Sequence, residues 1–149
     1  MMAVGAAIEL KGVERLNRVL ARLARVDTDD LMGALANLVE SQTRERLEHT
    51  KLSPDYDLWP DWSDSYADTR HTNHKLLENE GHLVDSIVSV VDDGLAEVGS
   101  NLVYAATHQY GDEKRKIPQR EYLGVNADDV AQLEAALQAW ADELLGAAA

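Results

Sequence analysis

Hydrophobic and polar positions change period several times along the chain, and each change predicts an element. Ala7-Ile-Glu-Leu10 alternates over a short stretch and reads as a strand. From Gly12 the spacing turns helical, with Val13, Leu16, Leu20 and Leu23 three or four apart, so a helix is expected to end near Val26. Its other faces carry Arg15, Arg18, Arg22 and Arg25. Asp27 or Thr28 can cap a second helix whose first turn holds Asp29 and Asp30, where carboxylates favour the positive end of the helix dipole. Leu31, Leu35, Leu38 and Val39 form its apolar stripe, which carries the helix to about His49.

Residues 50–80 show no period. They contain Pro54, Pro60, Trp59 and Trp62, and two tryptophans in a polar loop need somewhere to place their apolar area. Either the loop folds back on the core or it meets a partner. Beyond it, Val84, Ser86, Val88 and Val90 alternate with Asp85, Ile87, Ser89 and Val91, a strand pattern that Asp93-Gly94 turns into a hairpin near 84–99. Residues 104–110 form a short helical piece stopped by Gly111, residues 112–116 a charged loop, and residues 117–123 an extended edge element, given Pro118. Asn126 caps a last helix with Asp128 and Asp129 in its first turn. Val130, Leu133, Leu137, Trp140 and Leu144 line one face before Gly146. The pattern predicts an α+β fold: a small, mainly antiparallel sheet packed by N-terminal helices and a long C-terminal helix.

Composition narrows the class. A length of 149 residues suits one domain, and 45% hydrophobic residues argue for a folded chain despite a net charge of −13. Without cysteine there is no disulfide framework, thiolate nucleophile or Cys-based zinc site. No apolar run reaches the ~18–20 residues of a membrane span, and the start lacks a signal peptide's charged and apolar regions. A soluble protein of a reducing cytoplasm is therefore expected. The acidity argues against a dedicated nucleic-acid binder. It is also uneven: residues 51–100 carry 11 acids against 3 Lys plus Arg, among them Asp55, Asp57, Asp61, Asp64 and Asp68.

Candidate chemistry is sparse. His71-x-x-His74, with His82 and several aspartates nearby, could hold a metal, although solvated loop histidines explain the same spacing and no His-Glu-x-x-His occurs. Asp55-x-Asp57 resembles the start of a calcium loop, but Trp59 and Pro60 stand where that loop needs a ligand and a glycine. Ser86 follows no nucleophile elbow, and the nine glycines form no phosphate-cradling loop. The arginine stripe of residues 15–25 could meet phosphate; in an acidic chain, covering the core or pairing with acids is the commoner use.

The second half carries an ordered set of short motifs: Gly81-His-Leu-Val-Asp-Ser86-Ile87, then Tyr104-Ala-Ala-Thr-His108-Gln109-Tyr110-Gly111, then Ile117-Pro118-Gln-Arg120-Glu-Tyr122-Leu123-Gly124, with Ser53-Pro54-Asp55 and Trp59 upstream. In this order they resemble the phage virion morphogenesis (tail completion) family of Mu-like phages and prophages, over roughly residues 8–145. Tyr56 departs from that family's usual glycine, and Gln119, Glu121 and Tyr122 replace a more usual Ala, Pro and Phe.

The resemblance implies one virion morphogenesis domain over residues 1–149, with no enzymatic activity and no cofactor. Its role would be structural, completing the tail or neck at the head–tail junction as a tail-terminator or neck subunit. It also implies a homo-oligomeric ring, a hexamer favoured, that meets tail-tube and head-connector proteins and lets DNA pass without sequence-specific binding or membrane contact. Such a protein moves from the host cytoplasm into the virion. Trp59 and Trp62, Arg15, Arg18 and Arg22, and His108, Gln109 and Arg120 are the expected contact residues; Trp59→Ala would then fold normally and assemble poorly. For the 104–124 block the alternative is a core-facing hinge between sheet and last helix. A metal-dependent hydrolase using His71 and His74, or an assembly chaperone absent from the particle, are the competing functions.

Overall fold

The computed structural model describes residues 13–148, so the strand expected at residues 7–10 lies outside the described residues. Two helices come first, α1 (Val13–Leu23) and α2 (Asp29–Glu45). The cap of α2 comes from Asp27, whose Oδ1 accepts the Asp29 N–H at 2.9 Å, while Thr28 makes no side-chain cap bond. The helix then widens into a single π turn, Arg46–Thr50, and ends at Lys51 in the left-handed region, φ 55°. Lys51 holds that end by donating to the Leu47 carbonyl, to the Leu76 carbonyl at 3.0 Å and to Glu78 Oε2 at 3.1 Å. Burial lowers its pKa, partly offset by Glu78.

The short helices α3 (Asp64–Ala67) and α4 (His82–Asp85) precede a hairpin of β1 (Ile87–Asp92) and β2 (Leu95–Ser100). The strands pair antiparallel from Ile87↔Ser100 to Asp92↔Leu95. Asp93 and Gly94 both have positive φ, 48° and 74°, as the favoured two-residue hairpin turn requires. One face of the hairpin packs on α2, where Arg44 donates to the Ile87 carbonyl at 2.7 Å; Val88, Val90 and Leu95 face outward and are exposed. The expected strand start moves from residue 84 to Ile87. Leu83 and Val84 are both buried, which a helical turn allows and a strand of this hairpin, with one face exposed, would not, because successive strand side chains point to opposite faces.

After β2 come α5 (Ala105–Tyr110) and the long α6 (Ala127–Ala148), so the fold is α+β as the pattern predicts. α6 starts in a reciprocal capping box: Asn126 Oδ1 accepts the Asp129 N–H at 2.8 Å, and Asp129 Oδ2 accepts the Asn126 N–H at 3.0 Å. Residues 117–123 are extended but join no strand ladder apart from one Asp112↔Ile117 bridge.

The core does not lie where the longest apolar stripes are. Leu47, Trp59, Leu83, Val84, Ile87, Ala105 and Tyr122 form it, at the C-terminal end of α2 where the short elements converge. α1 contributes no buried residue, and α2, not α1, is the N-terminal helix that packs the sheet. Val130 and Leu137, on the expected apolar face of α6, are exposed. α1 instead lies against α6, with the Arg22 guanidinium donating to the Ala147 carbonyl.

Candidate assembly site

The block of residues 104–124 folds into a knot of hydrogen bonds. Gln109, buried on α5, treats the passing chain as a strand would: its Oε1 accepts the Tyr122 and Leu123 N–H groups at 3.1 and 2.9 Å, and its Nε2 donates to the Leu123 carbonyl at 3.1 Å. Residues 122 and 123 therefore need no partner strand, since a side chain satisfies their N–H groups. Arg120, also buried, donates from Nε to the Pro60 carbonyl at 2.7 Å and from Nη2 to the Asp61 carbonyl at 3.0 Å, tying the tryptophan loop to the same segment. Its own N–H bonds the His108 carbonyl at 2.8 Å. Gly111 makes the crossing possible: at φ +75°, a Cβ there would meet Gln119 N at 2.9 Å.

Trp59 corrects the sequence expectation. It is 6% exposed, sits in the core cluster and donates its indole N–H to the Glu121 carbonyl at 2.9 Å. The loop folds back because Leu52 and Leu58 bridge across a tight turn whose tip, Tyr56, has φ 66°. A left-handed residue there accounts for a glycine being the more usual occupant. Here Tyr56 also donates its hydroxyl to Asp128 Oδ2 at 2.9 Å, and that bond raises its pKa. Truncating Trp59 therefore attacks the fold, contrary to the expected normal folding.

Two residues that pattern reading passed over complete the knot. Arg46, 4% exposed, donates from Nη1 to the Tyr122 carbonyl at 2.7 Å and from Nη2 to Asp129 Oδ2 at 2.7 Å, linking α2, the extended segment and the start of α6. Its signal was in the sequence: Val39, Thr43 and Arg46 continue the buried side of α2, so an arginine there needs a partner. Tyr122, 1% exposed, donates its hydroxyl to the Ala105 carbonyl at 3.1 Å, and burial pushes the phenol up to about 12.

Beside the knot opens a cleft of about 960 Å³, lined among others by Trp62, Tyr66, Arg70, Tyr104, His108 and Arg120. Trp62 meets Tyr66 edge to face, with ring centroids 6.2 Å apart, and the Arg70 guanidinium lies 4.4 Å from the Tyr66 ring centre. Tyr104 meets His108 edge to face at 5.9 Å. His108 Nδ1 and Arg70 Nε are buried without a hydrogen-bond partner. Burial, then the charges of Arg120 and Arg115, lower the His108 pKa, so the imidazole is neutral near pH 7. Ser86 Oγ bonds Ser100 Oγ at 2.6 Å and the Leu83 carbonyl at 2.7 Å, inside the structure.

The structure thus brings together Trp59, Trp62, His108, Gln109 and Arg120, and separates them from Arg15, Arg18 and Arg22 on α1. His71 and His74 stack edge to face with centroids at 5.1 Å, and the His71 N–H bonds His74 Nδ1 at 3.3 Å. Among the described residues no three His, Asp or Glu side chains converge as metal ligands, and no helix is long and apolar enough to cross a membrane.

The comparison with known families agrees with the motif order: the model of the phage virion morphogenesis family matches residues 8–142, and the chain belongs to that family. It is a phage protein with a virion structural or assembly role. No curated protein and no solved structure matches it significantly.

Proposed function

We propose that this chain is a non-catalytic subunit that completes the tail or neck at the head–tail junction, acting as a homo-oligomeric ring, with six copies favoured. Family membership across residues 8–142 carries the reading. The cleft supports it, because aromatic walls such as Trp62, Tyr66 and Tyr104 suit a binding surface. In this reading the subunit assembles in the host cytoplasm, joins tail-tube and head-connector proteins and stays in the virion. DNA passes it without specific contact, and an acidic lining around residues 55–68 would weaken phosphate binding by like charge. A ring with that segment on its outer rim would remove the channel part of the proposal.

Peptide mass spectrometry of purified virions tests the role. The expected result is a stoichiometric component of tails or necks, with unjoined heads and tails when the gene is inactivated. Absence from particles that still require the gene would leave the chaperone reading instead. Stoichiometric zinc or manganese in protein purified without chelator would revive the hydrolase.

A further inference from the structure

We infer that the apolar face of α1 in one copy of the chain seats in the aromatic cleft of the next copy, joining subunits head to tail. The inference rests on the ring reading above and names the surfaces that would form it. α1 is strongly two-sided. Val13, Leu16, Leu20 and Leu23 share one face and are 39%, 56%, 53% and 39% exposed, while the arginines occupy the opposite side. Its polar side is already engaged through Arg22 and the Ala147 carbonyl. The helix is therefore held on α6 with its apolar face outward, the form that helix-in-groove recognition uses.

The cleft is the concave counterpart. Its walls include Trp62, Tyr66, Leu77, Tyr104 and Pro118, with acidic and basic side chains around them, and its volume is about 960 Å³; the helix that would enter it is ~16 Å long. No residue of α1 or α6 lines it, so helix and cleft are separate faces of one chain and their contact is heterologous.

Area agrees as well. The chain exposes 10981 Å², against about 7,600 Å² for a compact monomer of 16.5 kDa. The thirteen residues outside the description can supply at most about 2,100 Å² of that excess. Over ~1,000 Å² remains, the scale of the ~800 Å² that one partner contributes to a standard interface.

Light scattering on the full chain tests this. Wild type should be oligomeric; Leu16→Asp/Leu20→Asp and the cleft variant Tyr66→Glu should each be monomeric. Mixed in equal amounts, the two variants should form a heterodimer and stop there, because each retains one intact surface. An α1 variant that keeps the wild-type mass, a mixture that stays monomeric, or a monomeric wild type would each overturn the inference. In the first two cases an oligomeric wild type leaves the ring reading standing.

The absence of cysteine allows a check that leaves both surfaces nearly native. A chain carrying Leu20→Cys and Tyr104→Cys should give a ladder of covalent multimers on mild oxidation. No ladder, or cross-linking of Leu20→Cys to itself alone, would overturn the proposed pairing.

Discussion

Two regions of this molecule use their side chains in opposite ways. In the knot around Tyr122, polar groups face inward: Arg46, Gln109, Arg120 and Asp129 are buried and bonded to backbone or to each other. Along α1 and the far half of α6, apolar groups face outward, with Leu16, Leu20, Leu137 and Leu145 exposed. Both depart from a simple oil-drop expectation, and for different reasons. A buried arginine is tolerated where carbonyls and a carboxylate surround it; an exposed leucine stripe is tolerated where another surface can cover it. Residues rich in chemistry hold the fold, and plain leucines are left for contact.

That contrast can be broken at several points. Arg46→Ala should have the largest effect, about 3–5 kcal/mol in chemical denaturation, because it leaves the Asp129 carboxylate buried without its cation. Trp59→Ala should cost a comparable 3–5 kcal/mol, roughly the range for emptying an aromatic core site. A wild-type melting temperature for the Trp59 variant would return that residue to the list of partner contacts.

Alkaline titration probes the same knot. Unfolded Tyr122 ionises near pH 10 whereas the folded phenol holds its proton to about 12, so the native state binds more protons between those values. Stability should fall by about 2–3 kcal/mol as pH rises through that window, and Tyr122→Phe should flatten the slope. A smaller effect of opposite sense belongs to His108. Its pKa is lowered in the folded state, so below about pH 6.5 the unfolded chain takes up a proton first and stability falls as pH drops. His108→Gln should reduce that acid-side dependence in a pH series of melts.

The smallest effect is expected at the other region. Leu16→Ala and Leu20→Ala should each change the stability of the isolated subunit by no more than about 0.5 kcal/mol, since neither is buried. A loss above about 2 kcal/mol in a dilute, monomeric sample would mean that α1 is core, and would erase the contrast.

Much of this was legible before any coordinates. The α2 stripe, the Asp93-Gly94 hairpin, the Gly111 stop and the Asn126 cap each rest on chemistry contained within a few residues, and each stands where the pattern put it. The strand start was placed at residue 84 instead of Ile87 because a run of alternating residues also fits a helical turn entering a strand. The candidate site was only half legible. His108, Gln109, Arg120 and Trp59 were picked out, but the side chains of Gln109, Arg120 and Trp59 look inward to carbonyls up to 62 residues away, and no local period records such a partner.

Local spacing, turn chemistry and caps were therefore enough for the longer helices, the hairpin, the α+β class and, through motif order, the family; the short helices α3 and α4 left no such signal. Which apolar stripe became core was settled only by three-dimensional packing. Burial depends on which surfaces meet, and amphipathic periodicity says only that a face wants to be covered. For α2 and Trp59 the cover lies within the chain; on α1 Leu16 and Leu20 stay more than half exposed. The same leucine pattern that reads as core in the sequence becomes, in the folded subunit, a surface awaiting another.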